Sequence, residues 1–227
     1  MLVRLRNTLR RDLEPLVLPG LSSGSRLSWY ACGPTVYDDA HLGHARSYVC
    51  QDVLRRVLQR ARPSLAVVQV LGMTDVDDKI VGRARAQGVP WRQLARHYED
   101  RFLEDMAALG VLPPTAITRV SEHMDDIVAF VAQLVRQGAA YQASDGSVYF
   151  DTRAFGARKG GYVYPKLHPK RALGEGEETE EGVVKEGGKR AKEDFALWKA
   201  VAEDGWPSPW GPMGRPGWHI ECSAMSR

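Results

Sequence analysis

A short apolar run of β-type residues, Leu27, Trp29, Tyr30 and Ala31, breaks at Gly33-Pro34. After His41-Leu42-Gly43-His44 it gives way to Tyr48, Val49, Val53, Leu54, Val57 and Leu58 at helical spacing. Arg62-Pro63-Ser64 stops that periodicity, and residues 65–71 (Leu-Ala-Val-Val-Gln-Val-Leu) form a continuous apolar run of strand length, as in a strand buried on both faces. Strand, helix, strand over this distance predicts a right-handed crossover and a doubly wound α/β sheet. The loop at residues 32–44 then falls at the carboxyl end of a strand and the amino end of a helix, where unpaired N–H groups and the helix dipole favour an anion. A thiol, Cys32, and two imidazoles, His41 and His44, in that place suggest a reaction site.

Composition bounds the rest. With 227 residues, 44% of them hydrophobic and 26% charged, the chain can form one full core or a core with a small insert. The net charge of +3 is compatible with a nucleotide or nucleic-acid partner and weak as evidence for one. Cys32, Cys50 and Cys222 are too few and scattered for a disulfide framework, which favours free or metal-bound thiols in a reducing compartment. No stretch approaches the ~20 apolar residues of a bilayer span, so no membrane partner is expected. Arg4, Arg6, Arg10 and Arg11 precede the first acidic residue, which fits either an edge strand with a wet arginine face or the tail of an organelle transit peptide; the strand is the preferred reading.

Further along, Thr74 is expected to N-cap a helix beginning at Asp75-Val76-Asp77-Asp78, and the aspartates are read as first-turn capping groups in preference to a magnesium site. Amphipathic helices are expected through Trp91, Leu94, Tyr98 and Phe102 and through Met124, Ile127, Val131 and Leu134. A β-hairpin is expected across Asp145-Gly146. The glycine- and glutamate-rich residues 174–190 read as a mobile surface loop, residues 194–199 as a short helix, residues 206–217 as a loop, and residues 218–225 as the start of a helix. The expected organisation is the first half of a catalytic domain over 1–138, an inserted subdomain over 139–193, and a return to the catalytic domain over 194–227. On the residues alone, His41-Leu42-Gly43-His44 could be a phosphate clamp, a metal pair or plain capping, and each cysteine could be a small buried hydrophobe.

Four segments in order, residues 32–46, 74–80, 194–199 and 214–225, closely resemble the cysteinyl-tRNA synthetase family, and the resemblance runs from about Asn7 to Met225 outside the acidic loop. It implies a class I, Rossmann-like catalytic domain, a partial parallel sheet with flanking helices and a small inserted subdomain. The implied chemistry is ATP-dependent activation of cysteine to cysteinyl-adenylate, with Mg2+, and transfer to tRNA(Cys). It also implies that His41 and His44 contact the ATP phosphates, that Gly33, Thr35, Thr74 and Trp218 line the cysteine site, and that Cys32 and Cys222 are ligands of a Zn2+ that holds the substrate sulfur. A thiolate on zinc is a bond serine cannot copy, so such a site rejects the hydroxyl analogue.

The family's other zinc ligands, a histidine and a glutamate, and its lysine-rich loop follow the Cys222 helix and have no counterpart here. The chain is therefore expected to stop inside the catalytic domain, to bind zinc weakly, to lack adenylate exchange and to expose an apolar edge. The family's Lys-Ile-Ile-Lys segment reads Lys79-Ile80-Val81-Gly82. Two alternatives are an inactive fragment with a binding or regulatory role and a cysteine–amino sugar ligase of the same superfamily, against which Lys79 speaks. The resemblance and the basic amino end place the chain in the mitochondrial matrix, with the cytoplasm as the alternative.

Overall fold

A computed structural model describes residues 3–16, 26–158, 164, 166–167 and 188–227. Most of the glutamate-rich loop expected at 174–190 lies outside them. The chain divides into two compact units, one of Met1–Val76 with Gly82–Arg119 and the other of Asp77–Val81 with Val120–Arg227.

In the first unit, β1 (Arg4–Asn7) and β2 (Asp12–Pro15) pair antiparallel, so the basic amino end is a hairpin, the strand reading of the two. A three-stranded parallel sheet follows, ordered β3 (Arg26–Thr35), β4 (Ala66–Thr74), β5 (Ala116–Arg119). Helix α1 (Leu42–Ala61) joins β3 to β4 as the sequence predicts, and it ends where Pro63 denies Arg62 a helical backbone. Val67, Leu71 and Met73 of β4 are among the unit's buried residues, as are Leu58 of α1 and Leu94, Phe102 and Met106 further along the chain. Each fully buried apolar side chain of this kind contributes about 1.5–3 kcal/mol.

Helix α2 (Asp78–Gln87) starts three residues later than expected, because Thr74 is the last residue of β4. The capping contact is made by Asp77, whose carboxylate accepts the Lys79 N–H at 2.8 Å. The short β5 follows the Pro113-Pro114 pair and carries no sequence signal of its own. Helix α3 (Trp91–Ala108) stops before Gly110, which takes the left-handed conformation at φ 72° that other residues resist.

The second unit centres on α4 (Met124–Arg136) and a five-stranded antiparallel sheet of order β6 (Ala140–Gln142), β7 (Val148–Phe150), β8 (Phe195–Ala200), β10 (Gly211–Pro216), β9 (Trp206–Ser208). The hairpin across Asp145-Gly146 is β6–β7. Two expectations are corrected. Residues 195–200 form a strand, not a helix, because they pair with β7 on one side and β10 on the other and bury Ala196, Leu197 and Trp198. Much of the expected loop at 206–217 is β9 and β10. The short α5 (Thr152–Gly156) and the closing α6 (Trp218–Met225) complete the unit. Among the described residues no helix is long and apolar enough to cross a membrane.

Candidate functional site

The candidate site of the first unit lies at the carboxyl ends of two neighbouring parallel strands, the position where open α/β sheets bind ligands. Register places Cys32 of β3 beside Gly72 of β4 and Thr35 beside Thr74, with Val36 N–H donating to the Thr74 carbonyl at 3.1 Å. Cys32, Gly33, Thr35 and Thr74, all expected at the site, therefore share one sheet edge. A β-carbon on Gly33 would collide with the Gly72 carbonyl, so the two backbones approach this closely only without a side chain there. Tyr48, buried on α1, donates its hydroxyl to the Cys32 carbonyl at 3.2 Å and ties the strand end to the helix.

The signature histidines form the start of α1. His41 is the N-cap in extended conformation, and its Nδ1 accepts the Gly43 N–H at 3.0 Å; His44 Nδ1 accepts the His41 N–H at 3.3 Å. Together they make a reciprocal capping box from two imidazoles. The intervening glycine is needed because a β-carbon on Gly43 would sit 2.8 Å from His41 Cε1. The rings stack at 4.0 Å between centroids, and Phe102 of α3 meets His44 edge-on at 6.5 Å. Because both Nδ1 atoms accept, each neutral ring carries its proton on Nε2, the donor it can offer to a ligand. Burial, and secondarily the neighbouring His41, hold His44 below its usual pKa, which favours that neutral form. With no acidic residue in the first turn of α1, the helix end presents N–H dipoles and two imidazole donors, a setting for phosphate oxygens. The capping and phosphate readings of this motif are compatible, since one uses Nδ1 and the other Nε2.

Residues 36–40, which carry His41, are held from a distance. Asp38 Oδ2 accepts from Arg83 Nη1 at 2.6 Å, Arg83 Nη2 donates to the Tyr98 hydroxyl at 3.0 Å, and Arg101 pairs with Asp39 at 3.3 Å. The hydrogen bond from Arg83 holds the Asp38 carboxyl below the ordinary range. Sequence reasoning missed these partners. Tyr98 and Phe102 read only as the apolar face of a helix, and no spacing connects Arg83 to Asp38.

Trp218 and Cys222 belong to the second unit, where they stand one turn apart on α6, with Trp218 55% exposed and close to the His219 ring at 5.6 Å. Among the described residues no three histidine, cysteine or acidic side chains come together as a metal-binding group. Thiols suit zinc in kind, and Cys32 and Cys222 would be two of the four ligands that a closed site needs. Two of the aspartates after β4 make structural contacts. Besides the Asp77 cap, Asp78 bonds Lys199 and Arg215 at 2.5 Å each, and although its burial opposes ionisation these two cations bring its pKa below the usual value. Cys50 on α1 is exposed, not packed as its position in an apolar helix suggests.

Residues 21–227 match a family model described as "tRNA synthetases class I (C) catalytic domain". The chain is 45% identical to "Cysteine--tRNA ligase, cytoplasmic" of Dictyostelium discoideum, over 98% of this chain and 34% of that protein. It is 42% identical to "Probable cysteine--tRNA ligase, mitochondrial" of Xenopus tropicalis, over 99% and 37% respectively. Among solved structures, methionyl-tRNA synthetase of Mycobacterium tuberculosis in complex with methionyl-adenylate superimposes with a TM-score of 0.60 at 16% identity. That match covers 87% of this chain and 46% of that one, a likeness of fold. The chain spans between about a third and under half the length of such curated relatives.

Proposed function

Because the chain belongs to the class I (C) tRNA synthetase catalytic-domain family, we propose that it carries the nucleotide- and cysteine-binding part of a cysteine–tRNA ligase. In that reaction the carboxylate of cysteine attacks the α-phosphorus of ATP, pyrophosphate leaves, and the acyl group of the adenylate passes to a hydroxyl of tRNA(Cys). His41 and His44 serve as preorganised hydrogen-bond donors to the ATP phosphates, opposing the charge that develops there, and not as proton-transfer groups. Mg2+ accompanies the nucleotide. Gly33, Thr35, Thr74 and Trp218 are the residues proposed around the cysteine, and Cys32 and Cys222 are proposed zinc ligands that require others to complete the set. The mitochondrial matrix is the compartment we propose, as for the Xenopus tropicalis relative, with the cytoplasm of the Dictyostelium discoideum relative as the alternative, which a fluorescent fusion of the chain would decide by imaging.

The observation that carries this reading is the paired imidazole cap at the carboxyl edge of a parallel sheet. Its test separates capping from ligand binding. Asn is a strong N-cap, so His41→Asn should keep the stability of the chain while removing the Nε2 donor. The expected result is ATP·Mg2+ affinity about tenfold or more below the unsubstituted chain, the size of a lost hydrogen bond to a charged group. Unchanged ATP affinity in His41→Asn would overturn the assignment.

A further inference from the structure

We propose that Arg83 is a positioning residue for the nucleotide loop: acting through Asp38, and itself held by Tyr98, it fixes the segment that delivers His41 to the start of α1. The inference rests on reading that loop as the ATP site, and every residue in it belongs to the first unit. Asp38 uses both carboxylate oxygens. Oδ1 accepts the Asp39 N–H at 2.9 Å and so shapes the turn immediately before the signature, while Oδ2 accepts from Arg83 at 2.6 Å. The guanidinium is engaged as a fork through its two terminal nitrogens. One nitrogen bonds Asp38, the other bonds the Tyr98 hydroxyl, and its carbon lies 5.2 Å from the centre of the Tyr98 ring. Tyr98 stands on α3, the same helix that supplies Phe102 against the His44 ring and Arg101 to Asp39. One helix thus supports the loop and the second histidine together.

Exposure decides what kind of role this is. The side chains of Arg83 and Asp38 are 32% and 51% exposed, and ion pairs in that setting add little to global stability. Geometry is where such a pair can matter, since small misplacements of groups that stabilise the reacting phosphates are costly. A lysine could reach Asp38 but could not also hold Tyr98, because an ammonium lacks the planar fork.

The test compares Arg83→Met, Arg83→Lys and Asp38→Asn in the 227-residue chain by three measurements. These are thermal midpoint, amide hydrogen exchange at Asp39, His41 and Gly43 in the free protein, and affinity for ATP·Mg2+. Arg83→Met should leave the midpoint within about 4 °C, accelerate exchange at the three amides about tenfold and weaken ATP about fivefold. Arg83→Lys should recover part of both losses, and the Asp38→Asn, Arg83→Met double variant should be no worse than the poorer single one. Unchanged exchange at these amides in Arg83→Met, or a fall in midpoint with ATP affinity intact, overturns the proposal. If the unsubstituted chain binds no ATP, the nucleotide reading fails, while the exchange rates still decide whether Arg83 holds the loop.

Discussion

At the head of α1, His44 faces a conflict between proton binding and capping. Protonation at its Nδ1 places a donor where the ring now accepts the His41 N–H, so the charged form loses that cap bond, a loss of about 0.5–2 kcal/mol by the usual worth of N-caps. His44 is already held below its ordinary value of 6.5 by burial and then by His41. The folded state therefore prefers the neutral ring. Its contribution to stability is complete above about pH 6.5 and declines as pH falls below that, towards the lower folded value. An imidazole NMR titration should give His44 a midpoint below 6.5 in the free protein, moving upward when inorganic pyrophosphate binds at Nε2; a midpoint at or above 6.5 in the free protein would contradict the geometry. At this scale the sequence was informative where the chain itself puts the groups side by side, as with His41, Gly43 and His44. It was silent where the partner lies 45 or 62 residues away, as with Arg83 for Asp38 and Arg101 for Asp39.

Elements show a similar boundary between local and long-range control. The strand–helix–strand core was legible because β3, α1 and β4 are each specified by their own apolar pattern and by Pro63 between the last two. Residues 195–200 were misread because Ala, Leu and Lys favour helices locally, whereas pairing on both edges settles their conformation in the fold. Gly214, whose β-carbon would strike the Trp198 indole, shows how closely β10 approaches that strand. The four-residue β5 carries almost no pattern, yet it bears Arg119, which binds Glu99 of α3 through Nη2 at 2.6 Å and through Nε at 3.0 Å. Glu99 is 2% exposed and is also bonded by Arg96 at 3.2 Å. Removing Arg119 takes away the shorter of these bonds and leaves the buried Glu99 to the more exposed Arg96, so Arg119→Met should cost about 1–3 kcal/mol in urea unfolding. Replacing both, Glu99→Leu with Arg119→Met, should recover much of that loss. A double variant as unstable as the single one would show that the helix is held by something other than the pair.

Across the whole molecule, the two units differ in how they use buried carboxylates. The first relies on Glu99 against arginines, while the second fastens its chain return with Asp194, 2% exposed. Its carboxylate accepts from the Thr152 N–H at 3.0 Å, the Thr152 hydroxyl at 2.8 Å, the Tyr141 hydroxyl at 2.8 Å and the Ala191 N–H at 3.1 Å. Tyr141 in turn accepts the Arg190 N–H at 2.6 Å, and burial above all pushes its phenol up to about 12, so it remains a donor to Asp194 at any ordinary pH. Burial alone would raise the pKa of Asp194, but the bonds from Thr152, Tyr141 and Ala191 outweigh it and leave the group below 3.8. A depressed folded value means that the stabilisation is complete above the unfolded pKa and disappears as pH falls through the folded one. Asp194→Asn should therefore cost about 1–3 kcal/mol at pH 7, since an amide cannot accept all four donors. The gap to the unsubstituted chain should stay level down to about pH 5 and then close below about pH 4. Chemical denaturation followed by tryptophan fluorescence at several pH values measures it, with Trp198 inside the same sheet as the reporter. A gap that persisted unchanged into acid would mean that the asparagine disrupts packing and that the charge of Asp194 is not what holds residues 190–194 against β6 and α5.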